Sequence, residues 1–378
     1  MFSDEIERLR HDNLFRHIKD RGPICPPARI LINNIEYINF SSNDYLGLSN
    51  HPSIIEAANK AIEKYGLGAG ASRLLSGGTE LHATLEKKIA EFKGSDAALI
   101  FNSGYTANIS AIPVLASEGD IIFSDELNHA SIIDGCRLSK AKKVIYRHRD
   151  VEHLSELIKK EHGKRKMVIT DTVFSMDGDI APLKEISDIC TQHDAILYID
   201  DAHGTGVLGS GRGALTHFGI KPTPQIIQMG TFSKALGSYG AFIAADKNVI
   251  QWLINTARGF IYSTALPACV IAASLEALNI VQNDLSLIKN LWQNREMLFK
   301  GLMDLGFYTI NSETPIIPIV VGDTNTTLKF SELLMHHNIY APAIRPPTVK
   351  VPRIRVSVTA AHTEEDINKL LKGLRFAK

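Results

Sequence analysis

With 378 residues the chain is long enough for one large domain and one smaller one. Its 41 basic and 41 acidic side chains cancel when histidine is neutral, which excludes the basic field of a nucleic-acid binder and the polybasic patch of a lipid-surface protein. Hydrophobic residues make up 44% and charged residues 22%, ordinary for a globular chain, and no run approaches the roughly 18 apolar residues of a membrane span.

The first residues, MFSDEIERLRHDNLFRHIKDRG, are charged and amphipathic, unlike a leader with an apolar middle. Residues 1–45 are therefore read as an N-terminal segment, and a cytoplasmic location is expected. The cysteines, Cys25, Cys136, Cys190 and Cys269, lie far apart with no C-x-x-C pair, so reduced thiols are expected in place of disulfides or metal ligands. Through residue 283, short β-branched runs alternate with helical patterns. The runs predict strands at 97–101, 120–123, 143–146, 167–170, 195–199 and 225–229, with helices at 81–92 and 183–192 among the connections. That alternation predicts an α/β domain with a mainly parallel sheet over 46–283. Beyond it come a helix at 285–301, an apolar run at 316–321, a further helix, a Pro-rich turn and a strand at 353–358. These predict a smaller α+β domain over 284–378.

Ligands of open parallel sheets bind beyond the carboxyl ends of the strands, so the residues there carry the most information. In FNSGYTANISA (101–111) a strand runs into Ser103-Gly104-Tyr105-Thr106 and then a helical pattern. Glycine admits close approach by a ligand, and the first helical N–H groups point at any anion placed there. His129, in DELNHAS, and Ser175, in DTVFSMDG, follow two further strands. An imidazole there could lie against a ring, and a hydroxyl could bond one. In AILYIDDAHGTG (195–206) a buried strand ends in Asp200 and Asp201, followed by His203 and glycines. Such a carboxylate could ligate a metal, place a base or pair with a protonated ring nitrogen, or simply cap the turn. In QIIQMGTFSKALGSYGAF (225–242) the strand leads to Lys234 among small and apolar residues. Partial burial there disfavours the ammonium form, as attachment of a carbonyl compound requires. Thr231 and Ser233 offer hydroxyls to a phosphate. An anion cup, a strand-end Asp and a half-buried Lys are together the fixtures that pyridoxal 5′-phosphate (PLP) needs. The Asp keeps the ring nitrogen protonated, so that the ring accepts carbanion electrons.

The segments NFSSNDYLGLS (39–49), FSMDGD (174–179), DDAHGTGVLG (200–209) and TFSKALG (231–237) resemble the α-oxoamine synthases, fold-type I PLP enzymes, and the resemblance runs from Asn39 to the C-terminus. Within that family, DAHGTG, IYSTALP (261–267) and AIRPPTV with RIRVSVTAAH (343–362) are similar to the alanine-using, biotin-pathway branch. The turn at Lys350-Val351-Pro352 lacks the Pro-x-Gly that often follows RPPTV. The resemblance implies a large domain with a mainly parallel sheet, a smaller C-terminal α+β domain, and a homodimer with shared active sites. It implies PLP as cofactor, and L-alanine condensing with a pimeloyl thioester carried by CoA or an acyl carrier protein. Lys234 would carry the cofactor and act as general base, Asp200 hold its ring nitrogen, and His129 stack on the ring. His203 and Ser175 would face its hydroxyl, while Gly104, Tyr105 and Thr231 hold its phosphate with Ser263 and Thr264 of a partner subunit. Arg355 would clamp the alanine carboxylate, with Asn43, Arg16 and Thr348 at matched substrate positions. Arg345 is a further candidate, for the far carboxylate of the pimeloyl chain. Two other readings stand beside this one: an α-oxoamine synthase using glycine or a long-chain acyl thioester, and a PLP aminotransferase or lyase.

Overall fold

A computed structural model of the chain describes residues 1–23 and 25–377. It forms two compact units, one of Met1–Asn50, Ser175–Asp179 and Lys289–Lys378, the other of His51–Phe174 and Ile180–Ile288.

The larger unit is built on a seven-stranded sheet in the order Ala97–Phe101, Ala241–Ala245, Ile226–Thr231, Ile196–Asp200, Lys166–Asp171, Ile121–Asp125, Lys142–Tyr146. Four of its six neighbouring pairs are parallel. The Ala241–Ala245 strand runs antiparallel to both its neighbours. The sequence reading has no strand there, because a short run rich in alanine carries little β preference of its own. The other strands lie within two residues of their expected positions. Central strands such as Ile226–Thr231 are buried at every position, since helices cover both faces of a parallel sheet. One core joins Leu99, Ile122, Ile169, Tyr198 and Ile243 to Ala107, Ala111 and Ile112 of the helix Gly104–Leu115. Asp125, Asp171, Asp200 and Thr231 are the last residues of four parallel strands.

In the smaller unit Ile316–Ile319, Arg353–Ser357 and Ala343–Ile344 form an antiparallel sheet. A second sheet pairs Arg29–Ile32 with Ile35–Asn39, and Ile339–Tyr340 runs parallel to the latter. Residues 1–45 are thus no separate segment. The Ile35–Asn39 strand is hydrogen-bonded to the C-terminal part of the chain, and Ile38 and Phe40 share a core with Leu334, Ile339 and Val356. The helix Ser3–His11 buries none of its residues. The insertion Ser175–Asp179 is tied in by Thr314, whose hydroxyl donates to the Gly178 carbonyl at 2.9 Å. Among the described residues no helix is long and apolar enough to cross a membrane, and all four cysteines are free.

Candidate active site

The carboxyl ends of the larger unit's strands bring Asp200 and His129 into one polar cluster. Asp200 is buried, 4% exposed, and both its oxygens accept: Oδ1 from the Ala202 amide at 3.0 Å, Oδ2 from Asn108 Nδ2 at 2.8 Å. Asn108 also donates to Ser131 Oγ at 2.8 Å and accepts from the Tyr198 hydroxyl at 2.8 Å. Ser131 Oγ in turn lies 2.8 Å from His129 Nδ1, which caps its own helix by accepting from the Ser131 amide at 3.2 Å. His129 itself is exposed, so only its Nδ1 edge is committed to the protein. Loss of water around the ring outweighs the pull of Asp200 and lowers the imidazole pKa, and the charge of Lys234 acts in the same direction.

Asp171 stands beside Asp200 in the ladder and accepts from the His129 amide at 2.6 Å. Burial, and after it the charge of Asp200, pushes the Asp171 carboxyl well up, with the charge of Lys234 opposing. Two adjacent buried carboxyl groups do not both ionise readily. Lys234 is half-buried, and its field reaches both His129 and Asp171.

Asp201 faces a different set of partners. It forms a buried ion pair with Lys93 at 2.7 Å, the two side chains 0% and 1% exposed. It also accepts from Thr172 Oγ1 at 2.7 Å, Thr205 Oγ1 at 3.0 Å and the Ala214 amide at 3.2 Å. The ammonium donates further to the Arg212 carbonyl at 2.7 Å. This bond set holds the turn that carries buried His203.

For an anion the unit offers a helix start. Ser103 caps Gly104–Leu115, its side chain accepting from the Thr106 amide at 3.1 Å. The Ala107 amide bonds back to the Ser103 carbonyl, so the Gly104 and Tyr105 amides are the two turned outward. Thr231 is placed differently from expectation. Its hydroxyl proton goes to the Gly240 carbonyl at 2.7 Å, and its oxygen accepts from the Ser233 amide at 3.2 Å. Thr231 would have to rotate to donate to a phosphate. Ser263 is half-buried and Thr264 exposed, and the Thr264 carbonyl accepts from Asn102 at 3.0 Å.

The remaining predicted residues belong to the smaller unit. Arg355 is buried, 6% exposed. It donates to the Ser175 carbonyl at 2.6 Å, Ser357 Oγ at 2.9 Å and Asn43 Oδ1 at 3.1 Å. These partners are neutral, whereas Arg353 on the same strand pairs with Asp177. Tyr45, beside Arg355, is fully buried, and burial pushes its phenol up to about 12. Ser175 thus meets Arg355 through its carbonyl. Arg16 donates to Thr348 Oγ1 at 2.9 Å on the surface. Arg345 forks onto the backbone, from Nε to the Asn13 carbonyl at 2.7 Å and from Nη2 to the Phe15 carbonyl at 2.8 Å. Two of its donors thus tie down the N-terminal segment. Burial and the nearby Arg16 charge lower its pKa. Arg16, Arg345 and Thr348 line a cavity of about 730 Å³ with Lys19, Met335 and Tyr340.

Four residues here escape sequence reasoning: Asn108, Ser131, Tyr198 and Asp171. Only Asp171 had a signal, as the residue just past the predicted strand 167–170 and before Thr-Val-Phe-Ser. The larger unit's donor set fits PLP. Outward helix amides suit the phosphate, a buried carboxylate with only acceptor roles suits a protonated ring nitrogen, and an exposed imidazole suits a ring face.

The comparisons agree with this chemistry. Residues 35–374 match the family described as aminotransferase class I and II. A Thermodesulfovibrio yellowstonii protein, provisionally named an 8-amino-7-oxononanoate synthase, is 54% identical over 375 residues, 99% of this chain and 96% of that protein. The 8-amino-7-oxononanoate synthase of Thermoanaerobacter pseudethanolicus is 47% identical over 375 residues, 98% of this chain and 94% of that one. Among solved structures, a serine palmitoyltransferase from S. paucimobilis with a bound PLP–myriocin aldimine superposes with a TM-score of 0.94. It is 29% identical, covering 100% of this chain and 97% of its own. An 8-amino-7-oxononanoate synthase from Francisella tularensis gives 0.79 at 30% identity, covering 90% and 97%.

Proposed function

We propose a reaction from one premise: the chain belongs to the class I and II aminotransferase family and, within it, to the 8-amino-7-oxononanoate synthases. It is a PLP-dependent acyltransferase of biotin biosynthesis. Its substrates are an amino acid and an acyl thioester, here L-alanine and a pimeloyl group. A C–C bond forms between the alanine Cα and the thioester carbonyl, the thiol leaves, and CO₂ is lost to give 8-amino-7-oxononanoate. The observation that carries the reading is 54% identity across 99% of the chain, together with Lys234 and Asp200 at adjoining strand ends.

Bound in the larger unit, PLP supplies an electron sink for the carbanion at Cα. The chain's own residues do the rest. Lys234 is assigned the cofactor attachment and, with its amine free, the removal of the Cα proton. Asp200, accepting at both oxygens, is assigned the ring nitrogen and keeps a proton there. His129 offers a neutral ring face, with its remaining proton on Nε2. The Gly104 and Tyr105 amides are assigned the phosphate. Arg355, buried among neutral acceptors, is the chain's group for the alanine carboxylate, with Asn43 beside it. Arg16 and Thr348 are assigned to the pimeloyl end, and Arg345 holds the segment that carries Arg16. A homodimer in which Ser263 and Thr264 reach the partner's phosphate completes the reading.

A second reading has one observation in its favour, the TM-score of 0.94 to a serine palmitoyltransferase. Sequence identity weighs against it, at 29% there and 54% to the nearer relative. Thiol release separates the two. The purified holoenzyme is given L-alanine, L-serine or glycine with pimeloyl-CoA, a pimeloyl carrier protein or palmitoyl-CoA. Release only with alanine and a pimeloyl thioester, with product of the right mass, is expected. Release with serine and palmitoyl-CoA would overturn the assignment while leaving the cofactor in place.

A further inference from the structure

The Asn108 amide reaches two groups of the proposed site at once. It is fully buried, 0% exposed, with both N–H groups and one lone pair of its oxygen used. Its two N–H bonds go to Asp200 Oδ2 and Ser131 Oγ, each at 2.8 Å, and its oxygen takes the Tyr198 hydroxyl at 2.8 Å. The orientation of the amide follows from chemistry. Turned over, its oxygen would face the Asp200 carboxylate, acceptor against acceptor, and its NH₂ would face a phenol already able to donate. The Ser131 amide N–H points to His129 Nδ1 at 3.2 Å, so that nitrogen accepts. Ser131 Oγ, 2.8 Å from the same nitrogen, then gives its single proton to Nδ1 while receiving an N–H from Asn108. Nδ1 therefore carries no proton, and the neutral imidazole holds its hydrogen on Nε2.

We infer that Asn108, anchored by Tyr198 and relayed through Ser131, is a positioning residue that sets the tautomer of His129 and the acceptor state of Asp200 together. One amide couples the group assigned to the ring face with the group assigned to the ring nitrogen. A proton on Asp200 Oδ2 would oppose an N–H of Asn108, and a proton on His129 Nδ1 would oppose the Ser131 amide and turn the Ser131 hydroxyl away. The hydrogen-bond directions are independent of which amino acid or acyl group reacts, but the consequence for turnover rests on the PLP reading above.

The test uses holoenzyme in which histidine is labelled with heavy nitrogen, with His129→Gln identifying the signal. In the wild type the His129 resonances should report a bare Nδ1 and a protonated Nε2 near neutral pH. Asn108→Ala and Ser131→Ala should mix the two tautomers. Asn108→Ala should lower kcat roughly 10–100-fold, as loss of an orienting outer partner does, with KM for alanine nearly unchanged. Ser131→Ala should lower kcat less, because the Asn108 bond to Asp200 remains. Tyr198→Phe should fall between wild type and Asn108→Ala. If Asn108→Ala does not fold, the two near-isosteric variants decide the matter. A wild-type His129 protonated at Nδ1 overturns the inference, as does an unchanged His129 signal in Ser131→Ala and Asn108→Ala. Failure of the functional reading looks different: no thiol release by the wild type, with the tautomer result intact.

Discussion

A buried ion pair in the larger unit, Lys93–Asp201, and a buried cation in the smaller one, Arg355, have their charges met in opposite ways. At the strand ends of the larger unit, carboxyl groups crowd together, and the structure answers each with a donor: Asn108 and Ala202 for Asp200, the His129 amide for Asp171, Lys93 for Asp201. In the smaller unit the buried guanidinium of Arg355 meets the Ser175 carbonyl, the Ser357 hydroxyl and the Asn43 amide oxygen, with the Tyr45 phenol beside it. Asp201 has its counter-charge inside the protein, whereas Arg355, like Asp200, is held by neutral dipoles and has more to gain from a ligand of opposite charge.

The sharpest way to break that contrast is Arg355→Met. If Arg355 waits for a carboxylate, kcat/KM for alanine should fall about 100-fold or more, given roughly 1.5–3 kcal/mol for each charged hydrogen bond lost. The absorption of bound cofactor should stay as in the wild type. An unchanged KM and kcat would make Arg355 a structural residue like Arg353. Lys93→Met probes the other side. Removing one partner of a buried pair should cost about 3–5 kcal/mol, read as a lower urea midpoint of the holoenzyme, and a shift near zero would mean that Asp201 takes up a proton instead.

Asp171→Asn tests the crowding itself, with a smaller effect. The folded chain holds on Asp171 a proton that the unfolded chain releases near pH 3.9. Stability from this group is therefore full below that pH and is lost as pH rises towards the raised folded value. Asparagine keeps an acceptor for the His129 amide and removes the slope. The unfolding free energy of the variant relative to wild type, from urea titrations, should climb as pH rises above about 4, by up to about 1.4 kcal/mol per pH unit at its steepest. A difference flat in pH would show Asp171 ionised in the native state.

The same contrast marks what could be read from sequence. Strands such as Ile196–Asp200 announce themselves through continuous β-branched burial, and Asp200 and Lys234 through their places just past such runs. Local chemistry of that kind is legible. Asn108 is not: it sits inside a helix, and its partners Ser131, Tyr198 and Asp200 lie 23, 90 and 92 residues away. The backbone bonds of Arg345 are illegible for the same reason, since its partners are 332 and 330 residues away. The grouping of residues 1–50 with the C-terminus depends on a strand pairing, Ile38 with Ile339, that no local pattern encodes. What sequence leaves out is the set of polar contacts formed only after distant segments meet.

Asp200 and Asp201 stand side by side in the chain, yet one is assigned to the proposed site and the other is paired with Lys93. Chemically they are the same side chain, so only position tells them apart. A slip of one residue forward at this strand end would put Asp201 in the place of Asp200 and Ala202 in the place of Asp201. The buried Lys93 ammonium would then face a methyl group in place of its carboxylate, so the pair acts as a gauge against that slip.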